Sequence, residues 1–134
     1  MGTEVSRYED MALDDLKIYQ LAEDLEVHVH ELTKKFPIDE KYRSIDQVRR
    51  SSSSARSNIA EAYSRYAAAD MIHRMHIARA EAEETKRHLI ASRRKEFCSA
   101  EKVDFIIDGY SQLVKGINGY VRFIRSQENA RQIK

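Results

Sequence analysis

Tryptophan is missing from these 134 residues, and cysteine and proline occur once each. A single cysteine, Cys98, excludes an internal disulfide and fits a reducing compartment. A single proline, Pro37, leaves long stretches free to be helical, because proline removes a backbone donor and breaks helices. No apolar run approaches the ~18 residues that a membrane span needs. Met1 to Asp10 is too polar for a secretory leader, so the expected location is the cytoplasm. Glycine-rich phosphate loops and nucleophile elbows are also lacking. The chain is therefore not expected to be an enzyme.

What is present is helical periodicity. Ile18, Ala22, Leu25, Val29, Leu32 and Phe36 recur at steps of four and three, one face of an amphipathic helix. Asp14 is placed to cap it, and Phe36-Pro37 to end it. Ser44-Ile45-Asp46-Gln47 reads as a capping box for a second helix running to about Tyr66. Its stripe is Ile45, Val48, Ser52, Ala55, Ile59, Ala62 and Tyr66. The run Ser51 to Ser54 looks like a linker in isolation, but this periodicity carries it into the helix. A third helix follows a cap at Asp70, with Met71, Met75, Ala78, Ala82, Thr85 and Leu89 on one face. A fourth follows Ser99, with Val103, Ile106, Tyr110, Leu113, Ile117, Tyr120 and Ile124.

Four such helices with short connections predict an all-α, antiparallel up-and-down four-helix bundle over residues 13–126. Residues 1–12 and 127–134 are read as flexible tails. A three-helix bundle with one helix docked on another subunit is the alternative. Phe105 and Phe123 lie opposite the fourth stripe, with Gly109 and Gly116 roughly on the same line. Glycine inside a helix costs about 1 kcal/mol relative to alanine. Close approach of a second subunit would explain the glycines, so these four residues are expected at an oligomer interface.

Charge is unevenly spread. Residues 1–48 hold six Lys or Arg against twelve Asp or Glu, whereas residues 49–95 hold eleven against five. Arg50, Arg65, Arg79, Lys86, Arg87, Arg93 and Arg94 form the candidate phosphate-binding surface on helices two and three. Few aromatics interleave them, so base stacking and sequence readout are expected to be weak. The structural reading is that the acidic first segment neutralises the basic second one. Arg49 and Arg56, seven apart, edge the small-residue stripe and are expected to hold the bundle or its assembly, while Arg87, Arg93 and Arg94 are more exposed.

The centre of the chain resembles the four-helix-bundle proteins encoded in intervening sequences of bacterial 23S ribosomal RNA genes. The resemblance rests on Phe36-Pro37, Glu40, Tyr42, Gln47-Val48-Arg49-Arg50, Asn58-Ile59-Ala60-Glu61 and Arg65, with Ala78, Glu84 and Leu89 later. Departures are Ala62 where the family usually has glycine, Ala80-Glu81 for a usual Gly-Ser, and Ser51 to Ser54 for a more apolar stretch. The resemblance implies a bundle that assembles as a homopentamer. It makes Gln47, Arg49, Arg50, Asn58, Glu61 and Arg65 motif residues of structural role. A more distant likeness, to the accessory protein of diversity-generating retroelements, implies RNA or DNA and a reverse transcriptase as partners. A ribosomal RNA-associated protein is a further partner of this kind.

Metal and covalent chemistry are weakly supported. A di-iron bundle needs inward glutamates and two Glu-x-x-His pairs. This chain offers Asp70-x-x-His73, with His76, His28 and His30 as ordinary surface histidines, so no metal and no cofactor is expected. Cys98 has Arg94 and Lys95 near it but no base. The reading is a non-catalytic oligomeric module that binds RNA or DNA phosphates. The alternative is a protein-docking scaffold that touches no nucleic acid.

Overall fold

The computed structural model describes residues 12–133. Within them lie four helices: α1 (Lys17–Thr33), α2 (Asp46–Tyr63), α3 (Ala68–Arg94) and α4 (Ala100–Ile133). No strand occurs among the described residues. Each helix packs on the next, and α4 closes the bundle against α1. Cross-helix pairs give the directions. Arg49 reaches His30 and Arg56 reaches Glu26. Arg79 reaches Asn118 and Arg93 reaches Asp104. Gly109 lies on Leu25 and Gly116 on Ile18. In every pair one number rises as the other falls, so the neighbours are antiparallel and the bundle runs up and down. Among the described residues no helix is long and apolar enough to cross a membrane.

The apolar stripes make the core. Ala22, Leu25, Val29, Leu32 and Phe36 of the first stripe are buried, as are Val103, Ile106, Tyr110, Leu113, Ile117 and Ile124 of the last. Full burial of a Leu, Ile or Val contributes about 1.5–3 kcal/mol each. Between α2 and α3 the seam is made of small side chains: Ser51, Ser52, Ala55 and Ala62 on one helix, Ala78, Ala82 and Thr85 on the other, all buried. A buried hydroxyl without a partner would cost about 1–3 kcal/mol. Here Ser51 Oγ lies 2.7 Å from Thr85 Oγ1 across the seam. Thr85 Oγ1 also lies 2.9 Å from the Glu81 carbonyl and Ser51 Oγ 3.2 Å from the Val48 carbonyl, so one hydroxyl donates across the seam and the other to a carbonyl of its own helix. Ser52 donates to the Arg49 carbonyl at 3.0 Å. The serine run is thus packed helix, with its polar atoms satisfied locally.

Several boundaries differ from the sequence reading. Asp14 does not cap α1: residues Leu13–Asp15 form a 3-10 turn and Leu16 precedes the helix, with no side-chain capping bond. The second helical stretch starts earlier than Ser44, in a π-helical turn over Lys41–Ile45 that runs into α2. Glu40 is its cap, accepting from Ser44 Oγ at 3.0 Å, and these bonds hold the Glu40 carboxyl below its usual range. Tyr66 is 98% exposed, because α2 stops at Tyr63 and the chain turns before α3. α3 begins at Ala68 after Ala67, so Asp70 sits in its first turn and does not cap it. α4 does not fray at residue 126. It spans 34 residues, roughly 50 Å, and stays helical to Ile133, held by buried Val121 and Ile124. The tail expected over residues 1–12 lies, apart from Ala12, outside the described residues.

The turn from α3 to α4 is tight. Glu96 takes φ of 60°, the left-handed region where glycine is usual. Phe97 N–H donates to the Ser92 carbonyl at 3.1 Å and Glu96 N–H to Arg93 at 3.0 Å, so the orphan carbonyls of α3 are satisfied. Phe97 then packs against Phe36 with the rings tilted and their centroids 5.5 Å apart, which pins the turn to the core.

Candidate nucleic-acid interface

Six of the seven cations expected to bind phosphate already have partners. Arg50 lies 3.5 Å from Asp46, Arg65 3.2 Å from Glu61, Lys86 3.9 Å from Glu83 and Arg87 3.0 Å from Glu84. These are neighbours three or four residues apart on one helix, a spacing that favours ion pairs. Arg93 grips Asp104 with two bonds, at 2.7 and 3.2 Å, across the α3–α4 turn. Arg79 donates to Asn118 Oδ1 at 2.9 Å. Arg94 is exposed and has no ion pair among the described residues. The surface expected on helices two and three is therefore largely neutralised, and only Arg79 and Arg94 keep an unbalanced charge.

Of the remaining motif residues, Arg49 ties two helices together, as does Arg56 beside the motif. Arg49 Nε donates to Thr33 Oγ1 at 2.8 Å and Nη2 to the His30 carbonyl at 3.4 Å, tying α2 to the carbonyl end of α1. Arg56 pairs with Glu26 on α1, and that bond comes first among the causes that raise the arginine's pKa. Asn58 Nδ2 bonds back to the Ser54 carbonyl at 2.9 Å. Gln47 is exposed.

The interface expected on the back of α4 divides. A Cβ on Gly109 would collide with Leu25, and one on Gly116 would lie 2.8 Å from Ile18 Cγ2. The close neighbour is α1 of the same chain, so the glycines are explained without a second subunit. Phe105 remains 65% exposed, its ring edge-on to His28 at 5.6 Å. Phe123 is half-buried beside Tyr120.

A different surface gathers unneutralised charge. Residues 109–127 of α4 contain Lys115, Arg122 and Arg125 and no Asp or Glu. Lys115, Asn118, Arg122 and Arg125 step by three, four and three, one face of the helix. Residues 71–80 of α3 likewise hold Arg74, Arg79, His73 and His76 without an acid. The Arg79–Asn118 bond sets the two helices side by side at this level. Lys115, Arg122 and Arg125 are exposed, and none is paired with a carboxylate among the described residues. His76 is half-buried in the same face. Burial, then the positive charges of Arg79, Arg125 and His73, hold its imidazole below the usual value. Sequence reasoning passed over Lys115, Arg122 and Arg125, although the acid-free stretch of nineteen residues was in plain view.

Among the described residues no three of His, Cys, Asp and Glu come together as a metal site. Burial pushes the Cys98 thiol up, away from the thiolate that nucleophilic chemistry requires.

With this geometry, the sequence matches the model of the 23S rRNA-intervening sequence protein family over residues 14–119. The chain belongs to that family. A crystal structure of a Bacteroides thetaiotaomicron protein of unknown function, from the S23 ribosomal protein family, has the same fold. It superposes with a TM-score of 0.71 at 26% identity, covering 78% of this chain and 97% of that one. No curated protein matches the chain. The family match takes in all four helices but stops within α4, so the acid-free face straddles its edge: Lys115 and Asn118 lie inside it, Arg122 and Arg125 beyond.

Proposed function

We propose that this intervening-sequence protein is a non-catalytic helical module that binds RNA or DNA through its phosphates, on the face shared by α3 and α4. The observation that carries the reading is the cationic stripe Lys115–Arg122–Arg125 beside Arg79, with no carboxylate interleaved. Phosphate contacts of this kind supply affinity through counterion release and carry little sequence information. From Lys115 to Arg125 the stripe rises about 15 Å, room for a few successive phosphates of one strand. Exposed aromatic rings are absent from the stripe itself, which favours backbone binding over base readout.

The test is a binding titration with an RNA hairpin and with single-stranded DNA at increasing salt. Affinity should fall steeply with salt and vary little with sequence. Absence of binding at low salt would reject the reading. The second reading is a scaffold that assembles with itself or docks a protein, and exposed Phe105, edge-on to His28, favours it. Light scattering after size exclusion separates the two, since a mass of one chain with retained RNA binding leaves only the first.

A further inference from the structure

Two histidines of α3 stand in opposite electrostatic surroundings. His88 Nε2 lies 3.0 Å from Glu84 Oε1, so a carboxylate is at hand for its protonated form. His76, about three turns earlier on the same helix, has no such partner. The charges that act on its ring are Arg79 and His73 of α3 and Arg125 of α4, while α2 contributes none. Its Nδ1 is buried without a hydrogen-bond partner among the described residues. The ring is half-buried, and Arg79 one turn on donates to Asn118 of α4 at 2.9 Å, which fixes the two helices side by side at this level. Burial first, and then those cations, keep the imidazole neutral. No carboxylate is among the charges that act on it, so a counterion for its protonated form has to come from outside the bundle.

We infer, on the phosphate-binding reading just proposed, that His76 belongs to the phosphate contact and that binding of nucleic acid on the α3–α4 face is coupled to protonation of this ring. A phosphate held by Arg79 and Arg125 offsets the positive field that disfavours the imidazolium. The imidazolium then adds a further cation beside the same anion. Its proton comes from solvent and stays on the ring while the phosphate is bound. Linkage makes the effect reciprocal: a phosphate that favours the proton is itself held more tightly by the protonated chain. The sign follows. At high pH the ring is neutral in the free and the bound chain alike, and pH has no effect through it. As pH falls, the bound chain takes up the proton before the free chain does, so affinity rises with acidity. An opposite charge within about 4–6 Å of a titrating group is strong enough to change the binding constant about tenfold. The α3–α4 face is thus a nucleic-acid site that tightens in mild acid, and His76 is the residue that senses it.

The experiment titrates the full chain with the RNA hairpin at about pH 8 and about pH 5.5, at one salt concentration, and follows the imidazole C–H signals by NMR with and without RNA. The parent should bind about tenfold tighter at the lower pH. His76→Gln should lose most of that gain, and His73→Gln should keep most of it. In the parent, the His76 signal should titrate at higher pH when RNA is bound. Should His76→Gln lose helicity, the parent's own His76 signal decides. Equal affinity at both pH values, a gain undiminished in a folded His76→Gln, or a His76 titration that bound RNA leaves in place overturns the coupling while phosphate binding stands. Absence of binding at either pH overturns both.

Discussion

Two arginine-bearing surfaces of one bundle behave differently. Along α2 and the outer edge of α3, several cations pair with a carboxylate three or four residues away: Asp46 with Arg50, Glu61 with Arg65, Glu84 with Arg87. Along α3 and α4, Arg79 donates to the Asn118 amide, Arg79 and Arg125 act on the His76 imidazole, and no ion pair joins Arg79, Arg122 or Arg125 to a carboxylate among the described residues. Both surfaces count as basic when residues are summed along the chain. Only the second projects a field beyond its own side chains, because a paired surface charge has already traded its reach for a local contact. The difference lies in which cations a carboxylate reaches: Glu83 and Glu128 stand one turn from Arg79 and Arg125, yet neither pairs with them.

Changes on the structural side should be the larger ones for stability. Ser52→Leu inserts bulk into the fully packed α2–α3 seam and is expected to cost about 1–3 kcal/mol in a urea melt. An unchanged midpoint would mean that the seam is looser than its buried serines indicate. Arg56→Ala removes the pair with Glu26, in which each side chain is 28% exposed, and should cost about 1–2 kcal/mol. Arg122→Ala, on the unpaired face, should stay within about 0.5 kcal/mol of the parent. Equal losses for these two variants would erase the contrast between the surfaces.

Glu96→Gly should stabilise by about 1 kcal/mol, since the left-handed residue of the α3–α4 turn would no longer carry a Cβ. A loss in thermal melting would show that the Glu96 side chain offsets its own strain. The smallest effect is that of pH. The His76 imidazole is held down by burial and by positive neighbours, so the unfolded chain takes up a proton more readily below about pH 6.5. Stability should therefore decline as pH falls from about 7 to 5, and His76→Gln should flatten the decline. A variant that loses stability as steeply as the parent would place the proton uptake elsewhere.

The bundle was legible because apolar residues repeat at steps of three and four, and even the serine run kept that period through Ser52 and Ala55. Helix starts were less so. Ser44 has the capping pattern, yet Glu40 four residues earlier accepts its hydroxyl and its N–H, since a π-turn extends the helix backwards. Gly109 and Gly116 announced a close neighbour correctly but not its identity, because spacing along α4 cannot tell α1 from a second subunit. The length of α4 was missed because residues beyond Ile124 lose the stripe while Gln127 and Glu128 still lie half-buried. For the candidate site, the helical ion pairs were readable from spacing alone, whereas the bond of Arg93 to Asp104 needed the geometry of the turn. Counting positive residues without their neighbours directed attention to the neutralised surface.

The central claim is that position, not number, of positive charges governs binding of nucleic acid. Two variants remove three charges each: Lys115, Arg122 and Arg125 to Ala, and Arg50, Arg87 and Arg93 to Ala. Their log–log salt dependence with one RNA hairpin is the direct measurement. The first variant should lose about 2 to 3 units of slope, roughly 0.7–0.9 for each phosphate contact, while the second keeps most of the parent's slope. Equal slopes for the two variants, or a greater loss for the second, would contradict the account.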